Sequence, residues 1–250
     1  MTVYFIGAGP GAPDLLTIRA RDLLGRCPVC IHAGSLVPPE IVALARPDAR
    51  LVNSADLDLE QIVAEMATAH GTGLDVARLC SGDPSIYSAV HEQADALERL
   101  GIPYEIVPGV PAFAAAAAAL KCELTIPGLV QTVILARTAA NSSPIPPAED
   151  LAALAASRAT LAIHLSAKAL PGLAARLVPL YGAGCPAAVV AFASRPQEQV
   201  LRGTLSTIAE QAASAGVLRT AMLLIGWALD PPESGRSVLY GRDGGQGASA

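Results

Sequence analysis

The chain is predicted to fold as an α/β protein of two domains with mainly parallel or mixed sheets. Three observations predict it. Short apolar runs ending in glycine or proline recur from Thr2–Gly7 onward. Each is followed by a segment with apolar residues at helical spacing, the alternation that builds a parallel sheet with helical crossovers. Near residue 121 the alternation breaks and then begins again, and 250 residues are enough for two such domains.

In the first domain, residues 1–120, Thr2–Gly7 reads as a buried strand. Leu15–Leu24 reads as a helix with Thr17 as candidate N-cap, and Cys27–His32 as a second strand. Pro38–Ala45 and Leu59–His70 are helical, the first opening on a proline that a first turn tolerates. Asp75–Cys80 is a strand, followed by the loop Ser81–Tyr87 and a helix to about Leu100. Tyr104–Val107 is a strand ending in Pro108-Gly109, and Pro111–Leu120 is an alanine-rich helix. In the second domain, residues 121–240, Val130–Ala136, Thr160–Leu165, Ala187–Ala193 and Ala221–Gly226 read as strands. Ala167–Leu180 and Ser206–Ala215 read as helices, the latter with Ser206 and Glu210 placed as a capping box. Asn141–Pro147 is a loop, and Gly241–Ala250 reads as a disordered tail. A cleft between the domains is expected.

The formal net charge of −5, without a run of Lys or Arg, argues against a nucleic-acid-binding surface. The most apolar stretches, Val110–Leu120 and Thr220–Leu229, are too short or interrupted to span a bilayer, and residues 2–8 lack the pattern of a signal peptide. A soluble, cytoplasmic protein is expected. Cys27-Pro-Val-Cys30 is a CxxC, so a redox or zinc role has to be weighed. A zinc site needs about four ligands and no second pair completes one, while Cys30 lies inside a strand-like run. The favoured reading is reduced thiols in the core, with no metal site.

Gly7-Ala8-Gly9-Pro10-Gly11-Ala12 fits the dinucleotide fingerprint G-x-G-x-x-G/A letter by letter. Its physical requirements are not met. Pro10 and Pro13 remove N–H donors, the helix begins late, and the second strand ends in Cys30-Ile31-His32-Ala33-Gly34-Ser35 with no carboxylate for a ribose. Two other loops lie where strands end, Ser81-Gly82-Asp83-Pro84-Ser85-Ile86-Tyr87 and Pro108-Gly109-Val110-Pro111-Ala112-Phe113. Asp83 suits a ribose or an amine, or else caps the next helix.

Taken together, Gly7-Ala8-Gly9-Pro10-Gly11, Leu15-Leu16-Thr17, Gly82-Asp83-Pro84 and Pro108-Gly109 resemble the tetrapyrrole methylases, S-adenosylmethionine-dependent enzymes of cobalamin and sirohaem synthesis. Ala33–Pro38 and Thr125–Thr138 look like the branch that methylates C-11 of precorrin-4, with the cobalt-precorrin-4 enzyme as its close alternative. The resemblance implies a homodimer of two-domain chains, with no nucleic-acid or membrane partner. It implies cofactor contacts at Pro10, Ser81, Gly82, Asp83, Ile86, Pro111, Ala112, Leu165, Ala193, Thr220 and Ala221. It implies that the tetrapyrrole lies on the first domain, at Gly7, Gly9, Gly11 and Ser35. Pro111, Leu165 and Phe192 depart from the residues that relatives tend to carry.

Methyl transfer from a sulfonium to a carbon chiefly needs alignment of the two reactants and exclusion of water. Asp14, beside the glycine loop, is a candidate for assisting proton removal, or simply leads its helix. The carboxylates of the substrate call for basic residues. Arg137 is the first candidate, followed by Arg19, Arg78, Lys121 and Arg195. His32, His70, His91 and His164 are scattered, and His164 adjoins Leu165. The rival readings are a dinucleotide-dependent oxidoreductase, resting on residues 7–12 alone, and a tetrapyrrole carrier that has lost catalysis.

Overall fold

A computed structural model describes residues 1–138, 144–165, 169–217 and 220–231. The tail expected at 241–250 and the start of the helix expected at Ala167 lie outside them. The chain divides into two compact units, Met1–Ala115 with Phe192–Gln197, and Ala116–Ala191 with Glu198–Ala250.

The first unit is built on a five-stranded sheet of β1 (Val3–Gly7), β2 (Val29–His32), β3 (Arg50–Asn53), β4 (Val76–Cys80) and β5 (Tyr104–Val107), in the order β3-β2-β4-β1-β5. All its pairings are parallel. Both faces are covered, which is why β1 reads as an unbroken apolar run and β4 as one interrupted only by Arg78, which is buried with the rest. On one face Tyr4, Ile6, Cys30, Ala77 and Leu79 pack with Ala20, Leu23 and Leu24 of α1 (Ile18–Arg26) and Ile41 of α2 (Pro39–Val42). On the other, Val3, Phe5, Ile31, Val76 and Cys80 pack with Ile62 and Met66 of α3 (Leu59–Gly71) and Val90 and Leu97 of α4 (Val90–Arg99). Thr17 caps α1 as expected, its hydroxyl accepting from the Ala20 N–H (3.1 Å). The helix starts at Ile18 rather than Leu15, because Pro13–Leu15 forms a 3-10 turn and Leu16 is extended. α5 (Ala112–Leu120) follows β5.

The second unit carries β6 (Val133–Arg137), β7 (Thr160–Leu165), β8 (Pro186–Ala191), β9 (Gln199–Thr204) and β10 (Ala221–Ile225) in the order β6-β7-β10-β8-β9. Only β6 and β7 are parallel in this sheet, and the remaining pairs are antiparallel. Its helices are α6 (Leu151–Ala155), α7 (Leu170–Tyr181) and α8 (Ile208–Ser214). The capping box expected at Ser206 and Glu210 is absent. Thr207 is the N-cap and makes no side-chain bond to the helix, its hydroxyl accepting instead from the Thr204 N–H (3.0 Å) to close the turn after β9. The strand expected to reach Ala193 stops at Ala191, because Phe192 and Ser194 take left-handed φ values of 52° and 65°. Among the described residues no helix is long and apolar enough to cross a membrane.

Candidate active site

The topology of the first sheet marks where a ligand belongs. β1 leaves toward the α1 face and its neighbour β4 leaves toward the α3/α4 face, so their C-terminal ends diverge. Such a switch point opens a crevice beyond the strand ends. The glycine loop and the Gly-Asp-Pro loop both begin there and bridge each other. Gly9 N–H donates to the Gly82 carbonyl (3.1 Å), and Gly82 N–H donates to that of Gly9 (2.8 Å). Gly109 packs against both. A Cβ on Gly7 would lie 2.5 Å from Gly109 Cα, and one on Gly109 would lie 2.7 Å from Gly7 Cα and closer still to the Gly82 oxygen. Three motifs far apart in sequence are therefore one feature, a backbone-to-backbone contact that only glycine permits.

Three of the N–H donors that a diphosphate would need are spent inside the protein. Ala8 N–H goes to the Cys80 carbonyl (2.7 Å), Gly9 N–H to Gly82, and Ala12 N–H to Ser194 Oγ (3.0 Å). Pro10 is buried and has no N–H. The loop is a wall, not a phosphate cradle.

Asp83 ties the second loop to the third. Its Oδ2 accepts from Gly109 N–H (2.7 Å), and its Oδ1 accepts from Ser85 N–H (2.8 Å) and the Ser85 hydroxyl. Partial burial works to raise its pKa. The bonds from the Ser85 hydroxyl, Gly109 N–H and Ser85 N–H outweigh that and hold the carboxyl below its ordinary range. Ser81 is exposed, Gly82 is buried, and Ile86, Pro111 and Ala112 are half-buried. Tyr87 (φ 53°) and Ala89 (φ 50°) follow in left-handed conformations. Backbone strain of this kind is retained where surrounding structure over-determines it, often at ligand sites.

In the second unit, Ala221 stands opposite Leu165 on one side and Ala191 on the other, so the ends of β7, β10 and β8 form a row. Thr220, at the head of β10, is again left-handed (φ 55°). Arg137 ends β6, half-buried, beside a cavity of ≈ 690 Å³ that also holds the Arg176–Asp150 ion pair (2.6 Å). Ala193 is buried and belongs, within Phe192–Gln197, to the first unit.

A larger cavity of ≈ 1070 Å³ lies in the first unit, between the loop after β1, the loop after β2 and Ser194–Gln197. Its walls are mostly apolar (Ala12, Pro13, Val37, Pro38, Val42), with His32, Glu40, Asn53, Ser194, Arg195 and Gln197 as polar groups. Arg195 is held by the Leu36 carbonyl (2.9 Å) and the Pro10 carbonyl (3.4 Å). Its side chain lies over Gly11, where an added Cβ would come within 2.7 Å of Nε. Gly11 lines this cavity, Gly7 and Gly9 are buried beneath the loop, and Ser35 belongs to the 3-10 turn Gly34–Leu36. Asp14 is exposed and is not part of the lining.

The other basic candidates are placed elsewhere. Arg78 is buried on β4, with Nε on Gln93 Oε1 (3.1 Å) and an Nη on Ser54 Oγ (3.1 Å). Arg19 pairs with Glu105 (2.6 Å), and Lys121 is exposed. Cys27 and Cys30 are buried free thiols whose pKa values burial pushes up to about 12, so the CxxC is core packing. Sequence reasoning missed Ser194 and the seat of Arg195 on Gly11, for which no local pattern exists. It also underrated His32, whose signal was available as a polar residue at the end of a parallel strand.

Known proteins share this architecture. The family model for tetrapyrrole (corrin/porphyrin) methylases matches residues 2–209. The chain is 57% identical to the precorrin-4 C(11)-methyltransferase of Mycobacterium tuberculosis, over 96% of each sequence. The solved structure of a cobalt-precorrin-4 methyltransferase superposes with a TM-score of 0.89 at 39% identity, covering 92% of this chain and 96% of that one. A uroporphyrin-III C-methyltransferase from Thermus thermophilus, solved in complex with S-adenosylhomocysteine, superposes with a TM-score of 0.76 at 27% identity over 92% and 99% of the chains. The chain belongs to the tetrapyrrole methylases.

Proposed function

We propose that the protein transfers a methyl group from S-adenosylmethionine to C-11 of precorrin-4, giving precorrin-5 in cobalamin biosynthesis. The observation that carries this is the 57% identity, sustained over nearly the whole of both chains, with the mycobacterial C-11 enzyme. The likeness to the cobalt-precorrin-4 enzyme keeps one second reading, the same methylation on a cobalt-loaded ring.

S-adenosylmethionine supplies an electrophilic methyl group, and the chain supplies position and dryness. We assign cofactor contact in the first unit to Pro10, Ser81, Gly82, Asp83, Ile86, Pro111, Ala112 and Ala193. Gly82 and Ala112 offer backbone at close range, and the lock of Asp83 on Gly109 holds the two loops in one shape. In the second unit Leu165, Thr220 and Ala221 carry the assignment. The tetrapyrrole we assign to the ≈ 1070 Å³ cavity, whose apolar walls suit a flat macrocycle. Gly11 lines it, Gly7 and Gly9 are assigned to support its floor from beneath, Ser35 is assigned to its rim, and Arg137 to a carboxylate of the substrate. A homodimer is proposed as the working state, to be checked by light scattering.

Calorimetry tests the cofactor. S-adenosylhomocysteine is expected to bind at micromolar concentration and NADH not at all; the reverse would reject the reading. Incubation of trimethylated precorrin with methyl-labelled cofactor, followed by NMR of the product, identifies the methylated carbon. Parallel runs with metal-free and cobalt-loaded substrate decide between the two readings.

A further inference from the structure

We propose that His32 is the proton acceptor of the methylation, taking the proton that the macrocycle sheds as its ring carbon is alkylated. This rests on the reading above, in which a tetrapyrrole carbon is the nucleophile.

His32 closes β2 at the C-terminal edge of the parallel sheet, the edge at which ligands bind. It shares its face of the strand with Cys30, and its ring forms part of the cavity wall with Gly11, Ala12, Val37 and Asn53. Nδ1 is sealed from the cavity and makes no hydrogen bond of good geometry, so Nε2 is the ring nitrogen that can meet a ligand there.

The charge state fits the role. Burial lowers the pKa of His32 from the ordinary 6.5, with the Gly34 backbone opposing and the Arg78 guanidinium adding to the fall. Glu40, exposed on α2, and Arg195 are the other charged groups lining the cavity. At pH 7 the imidazole is neutral and offers a lone pair. Other acids near the glycine loop are less suited. Asp14 is exposed and outside the cavity lining, and both oxygens of Asp83 are committed to Ser85 and Gly109.

The step balances without a further reactant. A ring carbon forms the new C–C bond with its π electrons while the S–CH3 bond breaks and its electron pair stays on sulfur. The positive charge of the sulfonium thereby passes to the macrocycle, which returns to its charge state by losing a proton. That proton joins the imidazole lone pair and then leaves to water.

The test is His32→Gln, read as kcat, KM and pH profile together. We expect kcat to fall about 100-fold or more, the usual contribution of a positioned base. KM for the tetrapyrrole and affinity for S-adenosylhomocysteine should stay within about threefold, and the acid limb of kcat/KM, set by a group titrating below pH 6.5, should vanish. A variant that keeps the parental kcat and the same acid limb overturns the assignment, as does one that raises KM alone. Folding of the variant is read from its S-adenosylhomocysteine affinity. Independently, 15N NMR of the wild-type ring must show it neutral at pH 7, and an imidazolium there overturns the proposal. If wild-type protein does not methylate C-11 the functional reading fails; if it does and His32→Gln does equally well, only the role of His32 fails.

Discussion

Replacing Gly109 by alanine tests the central feature of the site. The new methyl carbon would lie 2.7 Å from Gly7 Cα, about 1 Å inside the normal contact of roughly 3.5–4.0 Å between carbons. The Gly82 oxygen is nearer still. All these neighbours are backbone atoms, tied down by the β1 ladder and by the paired Gly9–Gly82 bonds, so no rotamer change relieves the clash. Gly109 does not use a left-handed φ, and the whole cost is therefore steric. Overpacking of a rigid site costs typically about 1–3 kcal/mol, and a clash with backbone alone belongs at the upper end, about 3 kcal/mol. At this chain length that corresponds to a fall in Tm of roughly 6–12 °C. Urea unfolding followed by far-ultraviolet circular dichroism measures it, with calorimetry for the loss of S-adenosylhomocysteine binding. Gly172→Ala is the control. It lies inside α7 with nothing within 4 Å of its would-be Cβ, and should stabilise by roughly 0.5–1 kcal/mol. If Gly109→Ala lies within about 0.5 kcal/mol of the parent, the loops are not packed backbone to backbone and the reasoning is wrong.

Asp83→Ala frees Gly109 N–H and Ser85 N–H and should cost about 2 kcal/mol in urea unfolding besides weakening cofactor binding. Because the folded-state pKa of Asp83 is depressed, its contribution is present above the ordinary 3.8 and disappears as pH falls through the lower folded value. His32 and His164 are both held neutral by burial, their folded pKa values lying below 6.5. The unfolded chain therefore takes up protons first, so the urea midpoint should be level above about pH 6.5 and fall as pH drops below it, less steeply in His32→Gln. Tyr181→Phe removes a buried hydroxyl that donates to the Ala159 carbonyl (2.6 Å) and should cost about 1–2 kcal/mol, read as a shift in urea midpoint without loss of cofactor affinity.

The order of the elements was legible because burial on both faces leaves a plain mark. β1 is apolar throughout and β4 is so apart from Arg78, and Thr17 announces a helix by a local bond that spacing alone exposes. Edge strands leave no such mark. β3 is largely exposed and β9 nearly so, and neither was expected. Ser206 and Glu210 satisfied a capping pattern, yet Thr207 is better placed to bond Thr204 and the turn after β9 prevailed. Of the candidate site, the glycine, Gly-Asp-Pro and Pro-Gly loops were each visible as turns at strand ends. That they are one contact was not, because Gly7, Gly82 and Gly109 meet only through the crossovers of the sheet. Nor was the seat of Arg195 on Gly11, 184 positions apart in a chain numbered as here.

The glycine loop shows why a pattern of letters underdetermines chemistry. In a dinucleotide site the glycines leave N–H groups free to face a diphosphate. Here Gly7 is small because Gly109 lies against it, Gly9 turns so that its N–H and carbonyl can meet Gly82, and Gly11 is small because Arg195 crosses it. With the Ala8, Gly9 and Ala12 N–H groups spent inside the protein and Pro10 contributing none, the loop presents to a ligand shape and little charge. A wall of that kind gains nothing from an anionic phosphate and suits a reaction that needs two large reactants held close and dry. The same glycines thus favour methyl transfer over hydride transfer once their partners are known.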